Sequence, residues 1–256
     1  MDKTKLFLTA APGDCIAAQS FGLPVAHMAY RLGAGPHLYR SNLPAAVRGG
    51  LMVMDDLGFS GEGEVDPFCQ EVVLECANRS FSGVVAAFQE HPSPVMKKIV
   101  GKLGDALHAR ELSFFVTELY GKDSDKAHVL IPTAISGGSL AQRLEEAISR
   151  YGAGHIALEV ERVATDFFLP SPSGQGQDLT PEKLKTLREE RNPSVFFSDE
   201  LCAHYFTYMN KLNGAHFILF DDATSIRKKL QVAQNFGISE TFLMYPEIKD
   251  MMAAIL

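Results

Sequence analysis

Tryptophan is absent from this chain of 256 residues, which nevertheless contains 17 phenylalanines and 7 tyrosines. The sequence also lacks an uninterrupted apolar stretch of about 18 residues, the length that a membrane-spanning helix needs. We therefore expect no membrane partner. Basic residues number 24 against 31 acidic ones, they form no run, and the formal net charge is −7. This balance argues against a dedicated nucleic-acid surface, so we expect no nucleic-acid partner.

Cysteines and histidines do not occur at metal-binding spacings. There is no Cys-x-x-Cys, His-x-His or His-x-x-x-His pattern, and the four cysteines are Cys15, Cys69, Cys76 and Cys202. We expect buried, reduced thiols, no metal site and no cofactor. Residues 6–11 are shorter than the apolar core of a usual signal peptide, so we interpret them as a first strand and expect a cytoplasmic protein.

Short apolar runs alternate with segments that begin as helices begin. Several runs, such as residues 84–88 and 129–133, are apolar at consecutive positions, which is typical of strands covered on both faces. The alternation predicts an α/β fold, and the number of units favours a single (β/α)8 TIM-type barrel, with some irregularity, over residues 1–256. Helix starts are expected at five positions: Asp66, Ser93, Ser139, Thr180 and Asp222.

Two segments interrupt this alternation. Residues 118–126 join two strand-like runs by a short polar segment, which suggests a hairpin extension. Residues 170–179 are rich in Pro, Ser, Gly and Gln, which predicts a surface loop or a mobile lid.

Side chains that follow barrel strands line the functional end of such a fold. The candidates at these positions are mainly carboxylates and phenols, which suit sugar hydroxyls, metal ions or acid–base chemistry on a glycosidic bond. Glu159 and Glu161 alternate with apolar residues at strand spacing, so they share one face. The full set of candidates is Asp55, Asp56, Gln89, Glu90, Glu118, Tyr120, Glu159, Glu161, Asp221 and Tyr245.

The last third of the chain carries a family resemblance. Residues 216–223, followed by Ser225, Lys229 and Gly237, resemble the seventh strand and helix of family 18 glycoside hydrolases, the chitinase-like barrels. The resemblance is closest to the branch found in spore-germination and peptidoglycan-directed proteins, which implies a carbohydrate ligand and a possible spore association. Residues 205–208 and the polar turn at Asn213 resemble the hairpin that leads into that strand.

The catalytic motif of that family has changed in this chain. The family carries Phe-Asp-Gly-x-Asp-x-Asp-x-Glu on its fourth strand, and residues 81–89 align with it. The three aspartates become Ser82, Val85 and Ala87, and the glutamic acid becomes Gln89. An amide has no proton that titrates near neutrality, so Gln89 cannot act as the acid. The adjacent Glu90 is expected to point to the opposite side of the strand.

Three hypotheses remain at this stage. In the first, a degenerate family 18 barrel binds a carbohydrate that contains N-acetylglucosamine, or a protein partner, without turnover. In the second, a hydrolase uses relocated carboxylates, drawn from Glu118, Glu159, Glu161 and Asp221. In the third, the chain is an unrelated TIM-barrel enzyme. The missing tryptophan favours the first, because the family commonly ends its last strand with a Trp that stacks on the sugar. The matching position falls near Met244, and Tyr245 is expected to substitute.

Overall fold

The computed structural model describes residues 4–44, 46–59, 61–170, 174–210 and 214–256. Eight parallel strands form a closed barrel, because the last of them pairs with the first and the first pairs with the second. The expected TIM-type barrel is thus confirmed. In the order of the barrel, the strands are β1 (Lys5–Ala10), β2 (Val25–Gly33), β4 (Leu51–Asp55), β5 (Gly83–Ala86), β6 (Ser113–Thr117), β7 (His128–Pro132), β8 (Ile156–Val160) and β14 (Glu240–Met244).

Three phenyl rings pack together with aliphatic side chains inside the barrel. Phe7 stacks on Phe242 with ring centroids 4.9 Å apart, and Phe115 meets Phe242 edge-on at the same distance. Every barrel strand contributes at least one residue to this interior cluster. Full burial of each ring stabilises the fold by about 2 kcal/mol relative to exposure. We call this interior cluster the plug.

Helices and one extra strand surround the barrel irregularly. The strand β3 (His37–Arg40) forms a hairpin with β2, and only a short 3₁₀ turn stands between β6 and β7. The outer helices are α1 (Cys15–Gln19), α2 (Val65–Arg79), α3 (Pro94–His108), α4 (Leu140–Tyr151), α6 (Ala223–Asn235), α7 (Tyr245–Ile248) and α8 (Met252–Ile255).

A second sheet is inserted between the seventh barrel strand and α6. Its five strands are antiparallel, and one face packs on α5 (Pro181–Arg191) through Leu184, Phe206 and Ile218. The strands of this inserted sheet are β9 (Ala164–Leu169), β10 (Gln177–Asp178), β11 (Phe196–Ser198), β12 (Ala203–Asn210) and β13 (Gly214–Phe220).

The assignment of residues 216–220 to the seventh barrel strand is wrong. They lie in β13, which pairs antiparallel with β9 and β12, and the seventh barrel strand is β8. The error has a physical cause: β13 is apolar on consecutive positions because α5 covers one of its faces while Leu219 is buried on the other. The hairpin of β12 and β13 therefore follows the seventh barrel strand and does not precede it. Its turn at Asn213 lies outside the described residues.

The predicted hairpin at residues 118–126 is also wrong, because β6 and β7 pair in parallel. Within residues 170–179, the described part includes the short strand β10, which extends the inserted sheet, while residues 171–173 lie outside the described residues.

Four of the five predicted helix starts are confirmed by side-chain caps. Ser93, Ser139 and Thr180 each accept a backbone N–H from three residues further on, and Asp222 forms a full capping box with Ser225. The start at Asp66 is shifted by two residues: Glu64 is the N-cap, and Asp66 lies in the first turn of α2, where its carboxylate accepts a hydrogen bond from Lys102.

Candidate functional site

A cavity of about 580 Å³ opens at the carboxyl ends of the barrel strands, and we call it the mouth cavity. Its apolar floor includes Val53, Val85, Leu130 and Phe242, which are the outermost residues of the interior plug. Polar side chains from the strand ends form its walls. A concave site with an apolar floor and a few polar groups is the usual form of a small-ligand site.

Three residues of the fourth barrel strand and its continuation present neutral side chains to this cavity. Val85, Ala87 and Gln89 line it, in keeping with the alternation of side chains along an extended chain. Ala86 and Phe88 point the other way and are fully buried in the outer core. Val85, Ala87 and Gln89, which align with acidic residues of the family motif, thus lie at the cavity wall, and none of the three is a carboxylate. Glu90 lines the cavity as well, so the expectation that it points to the opposite side is wrong: β5 ends at Ala86, and strand alternation does not extend to Glu90.

The seventh barrel strand supplies two carboxylates. Glu159 follows the plug residue Ala157 on the same face, and Glu161 lies two residues further on; both line the mouth cavity. Neither carboxyl forms a hydrogen bond or ion pair with another described residue. Burial, followed by the charges of Glu161 and Glu247, raises the pKa of Glu159 from 4.5 to about 7. Burial and then Glu247 also raise the pKa of Glu161.

The third barrel strand ends in Asp55 and Asp56, which have different surroundings. Asp55 lines the cavity and forms a 2.6 Å ion pair with the exposed Arg31. Asp56 is 2% exposed, and its two oxygens accept the backbone N–H groups of Gln89 and Glu90. Burial raises the pKa of Asp56, although these two hydrogen bonds oppose the change. Asp56 and Glu90 both line the cavity, and the two hydrogen bonds tie Asp56 to the segment of residues 87–90 on the neighbouring strand.

Two of the predicted residues follow the fifth barrel strand and point away from the cavity. Both Glu118 oxygens accept hydrogen bonds from Arg143 of α4, which occupies this carboxylate with an ion pair. Tyr120 is fully buried, and its hydroxyl donates to the carbonyl oxygen of Glu90 at 2.7 Å. Neither side chain is among those that line the mouth cavity.

Asp221 is buried and fully occupied. Its carboxylate accepts hydrogen bonds from the Lys229 ammonium at 2.6 Å, the Ser225 hydroxyl at 2.7 Å and the Val163 amide at 2.8 Å. This network joins the inserted sheet to α6 and to the segment after β8. A structural role accounts for all of these contacts, so we do not retain Asp221 as a relocated acid.

The expected aromatic substitute at the last strand does not face the cavity. Tyr245 begins α7, is 5% exposed and packs on Phe21 with ring centroids 6.0 Å apart. Met244 lines the cavity instead. Sequence reasoning also missed Thr9, Met28 and Thr117 as lining residues. Each of the three lies two residues after a plug residue, namely Phe7, Ala26 or Phe115, and so shares its face of the strand. The sequence alone does not show which residues form the plug.

A larger groove of about 1090 Å³ adjoins the mouth cavity and shares Glu161 with it. It runs between the ends of β7, β8 and β14 and the inserted sheet with its helix α5, and Phe167 of β9 and Leu184 of α5 form part of its wall. Arg162 lies in this groove and donates to Asp250 and to the carbonyl oxygen of Glu247. Its buried Nε has no acceptor among the described residues. The groove thus extends the mouth cavity towards the inserted sheet.

Within the described ranges, no three His, Cys, Asp or Glu side chains are arranged to hold a metal ion. The four cysteines are free and buried. No helix in the described part of the chain is both long and apolar enough to cross a bilayer.

Solved structures share this architecture. The spore cortex-lytic enzyme SleL of Bacillus cereus aligns with a TM-score of 0.71 at 13% identity, over 96% of this chain and 72% of that chain. A chitinase from Chromobacterium violaceum aligns with a TM-score of 0.70 at 16% identity, over 97% of both chains. The class V chitinase of Nicotiana tobaccum gives 0.69 at 10% identity, over 99% of this chain and 97% of its own.

These likenesses establish the fold: the chain has an α/β barrel of the chitinase type. The resemblance read from the sequence is thereby confirmed at the level of the fold. No protein-family model matches the chain, and no curated protein matches it in sequence.

Proposed function

We propose that the chain binds a glycan containing N-acetylglucosamine in its mouth cavity and does not perform the hydrolysis of chitinase-like barrels. The observation that carries this proposal is the wall formed by Val85, Ala87 and Gln89. The resemblance places the substrate-orienting aspartates and the catalytic acid at these positions. These three side chains can pack against a ligand or form hydrogen bonds with it, but none of them can donate a proton to a glycosidic oxygen as an acid.

The chemistry of the cavity supports a sugar as the ligand. Phe242 and Val53 offer apolar surface to the apolar faces of a pyranose ring. Asp55, Glu90 and Thr117 offer hydrogen-bonding groups to its hydroxyls. The volume of about 580 Å³ falls within the range of roughly 300–1,000 Å³ that is usual for small-ligand sites.

The structural neighbours support this choice of ligand class. Two of them are chitinases and one is a spore cortex-lytic enzyme, so chitin-type and cortex-type glycans are the first ligands to test. A spore association is part of the same proposal and is supported by the cortex-lytic neighbour and by a putative sporulation-specific glycosylase of Bacillus subtilis with a similar fold.

One observation favours a second candidate, a hydrolase with relocated carboxylates. Glu159 faces the cavity without a partner among the described residues, and its pKa of about 7 keeps a proton available near neutrality. Glu161 stands beside it as a second carboxylate. This candidate requires that the wild type release shorter products and that Glu159→Gln abolish the release.

The test of the proposed function is a calorimetric titration with an N-acetylglucosamine tetramer. Ala87→Phe places a phenyl ring inside the mouth cavity, so we expect binding to weaken at least about tenfold. Ala153→Phe makes the same change at an exposed alanine in a 3₁₀ turn and should bind as the wild type does. Equal affinity of Ala87→Phe and the wild type would place the ligand elsewhere, and a wild type that binds no glycan would refute the proposal.

A further inference from the structure

The segment that carries Gln89 is fixed on both sides by the neighbouring barrel strands. We call residues 87–90 the rim, since they continue β5 along the edge of the mouth cavity. Asp56 accepts the Gln89 N–H at 2.9 Å and the Glu90 N–H at 3.1 Å. On the other side, the Thr117 hydroxyl donates to the carbonyl oxygen of Phe88 at 2.7 Å, and Tyr120 donates to that of Glu90.

Two of the side chains that bind the rim, those of Asp56 and Tyr120, are themselves buried. Asp56 is 2% exposed, and Tyr120 is fully buried with its ring edge-on to Phe88 at 6.0 Å between centroids. Hydrogen bonds from amides to an ionised carboxylate are about twice as strong as neutral ones. A buried carboxylate that loses these donors would be left without compensation. The rim therefore has little freedom to leave its position.

The consequence concerns the Gln89 side chain. Gln89 lies three residues past the end of β5 and is exposed at the cavity, where an unsupported backbone would sample many conformations. With its N–H held by Asp56, the carboxamide enters the cavity from a fixed backbone. Groups fixed before binding lose less entropy when they contact a ligand.

We propose that Asp56, Thr117 and Tyr120 are positioning residues that hold the rim, so that the Gln89 carboxamide contacts the bound ligand as a specificity group. This inference rests on the proposed function for the identity of the ligand. Asp56 lines the cavity, but it is 2% exposed and both of its oxygens are occupied by the rim amides, while Tyr120 lies outside the lining, so both residues are assigned a role through the rim.

The first arm of the test needs no ligand. Hydrogen exchange of the Gln89 and Glu90 amides is compared between the wild type and Asp56→Asn, which keeps the shape but loses one acceptor. Exchange should accelerate at least about tenfold at the amide that loses its acceptor. Asp66→Asn is the matched control, because Asp66 is an exposed aspartate paired with Lys102. Unchanged exchange at the rim of Asp56→Asn would overturn the proposal.

The second arm measures affinity for the N-acetylglucosamine tetramer. Asp56→Asn should weaken binding about tenfold in the wild type and have no further effect in Gln89→Ala. The same weakening in both backgrounds would show that Asp56 acts directly on the ligand or on general stability, and would overturn the role of Gln89. Tyr120→Phe removes a single hydroxyl and should weaken binding about threefold to tenfold, so it carries this arm if Asp56→Asn does not fold.

The two arms of the test can give negative results independently of each other. Absence of glycan binding by the wild type would refute the proposed function and the ligand contact of Gln89. The exchange arm would still decide whether Asp56 holds the rim.

Discussion

Glu161 lies directly after the end of the seventh barrel strand, two residues beyond Glu159, and its charge adds to burial in raising the pKa of Glu159 to about 7. Among the described residues, neither carboxyl has a cation as an ion-pair partner. Glu159 therefore exchanges its proton near neutrality while facing the mouth cavity. This relationship makes the stability of the protein, and the chemistry of its cavity, sensitive to pH.

The pH dependence of stability follows from this pKa. The folded value of about 7 lies above the ordinary 4.5, so between these pH values the native state binds more protons than the unfolded state. The free energy of unfolding should therefore fall as pH rises through this window. Glu159→Gln removes the contribution of this carboxyl to the pH dependence and should stabilise the protein by about 1 to 2 kcal/mol at pH 8, a figure reduced for partial exposure.

Urea unfolding at pH 5 and pH 8 measures this effect. Glu145→Gln, at an exposed position of α4, is the control and should leave the difference between the two pH values unchanged. If Glu159→Gln keeps the full pH dependence of the wild type, Glu159 does not have a raised pKa.

Restoring the missing acid at Gln89 should not create chitinase activity. In Gln89→Glu, the neighbours on the same face are still Val85 and Ala87, which cannot orient an acetamido group or share a proton. We expect no hydrolysis of a fluorogenic N-acetylglucosamine oligomer above the background of the wild type. Measurable turnover by this single variant would contradict the prediction and show that an acid at position 89 is sufficient for hydrolysis.

The buried ion pair between Lys229 and Asp221 should be essential for the junction of the barrel and the inserted sheet. Both side chains are fully buried, so removal of the ammonium leaves a carboxylate inside the protein without its cation. Lys229→Met should lower the free energy of unfolding by about 3 kcal/mol or more. Lys228→Met, at the adjacent and partly exposed lysine paired with Asp199, should change it by less than about 1 kcal/mol. Similar unfolding curves for the two variants would contradict the structural role of Lys229.

The four thiols should be unreactive in the native protein. Burial raises the pKa of Cys15 to about 11, that of Cys69 to about 11 and that of Cys76 to about 12. Thiolates are the reactive form, so a thiol-specific reagent at pH 8 should label the native protein slowly and all four cysteines after denaturation. Rapid labelling of one thiol in the folded state would reveal an open route to it.

The barrel could be predicted from the sequence because its parallel strands are covered on both faces and so are apolar on consecutive residues. The same property misled the assignment of β13, since α5 and a second cluster cover its two faces as completely as a barrel strand is covered. Helix caps such as Ser93 and Asp222 were predictable because they depend on local chemistry. The register that joins β13 to β9 depends on distant pairing, which no local pattern contains.

The candidate site was predictable where side-chain alternation decides it. Glu159, Glu161 and Gln89 line the mouth cavity, as expected for residues at strand ends. Glu118 and Asp221 also follow apolar runs, but each is paired with a basic residue of a helix. Arg143 of α4 binds Glu118, and Lys229 of α6 binds Asp221. Tyr245 was placed by its position after the last strand, whereas the chain had already turned into α7.

The central claim is that the mouth cavity binds an N-acetylglucosamine glycan without cleaving it. The most direct measurement incubates the wild-type protein with N-acetylglucosamine oligomers and with muropeptides, and follows binding and product release in the same samples. The account predicts saturable binding of at least one of these glycans and no shorter product. Binding of neither glycan, or steady release of cleaved product, would contradict it.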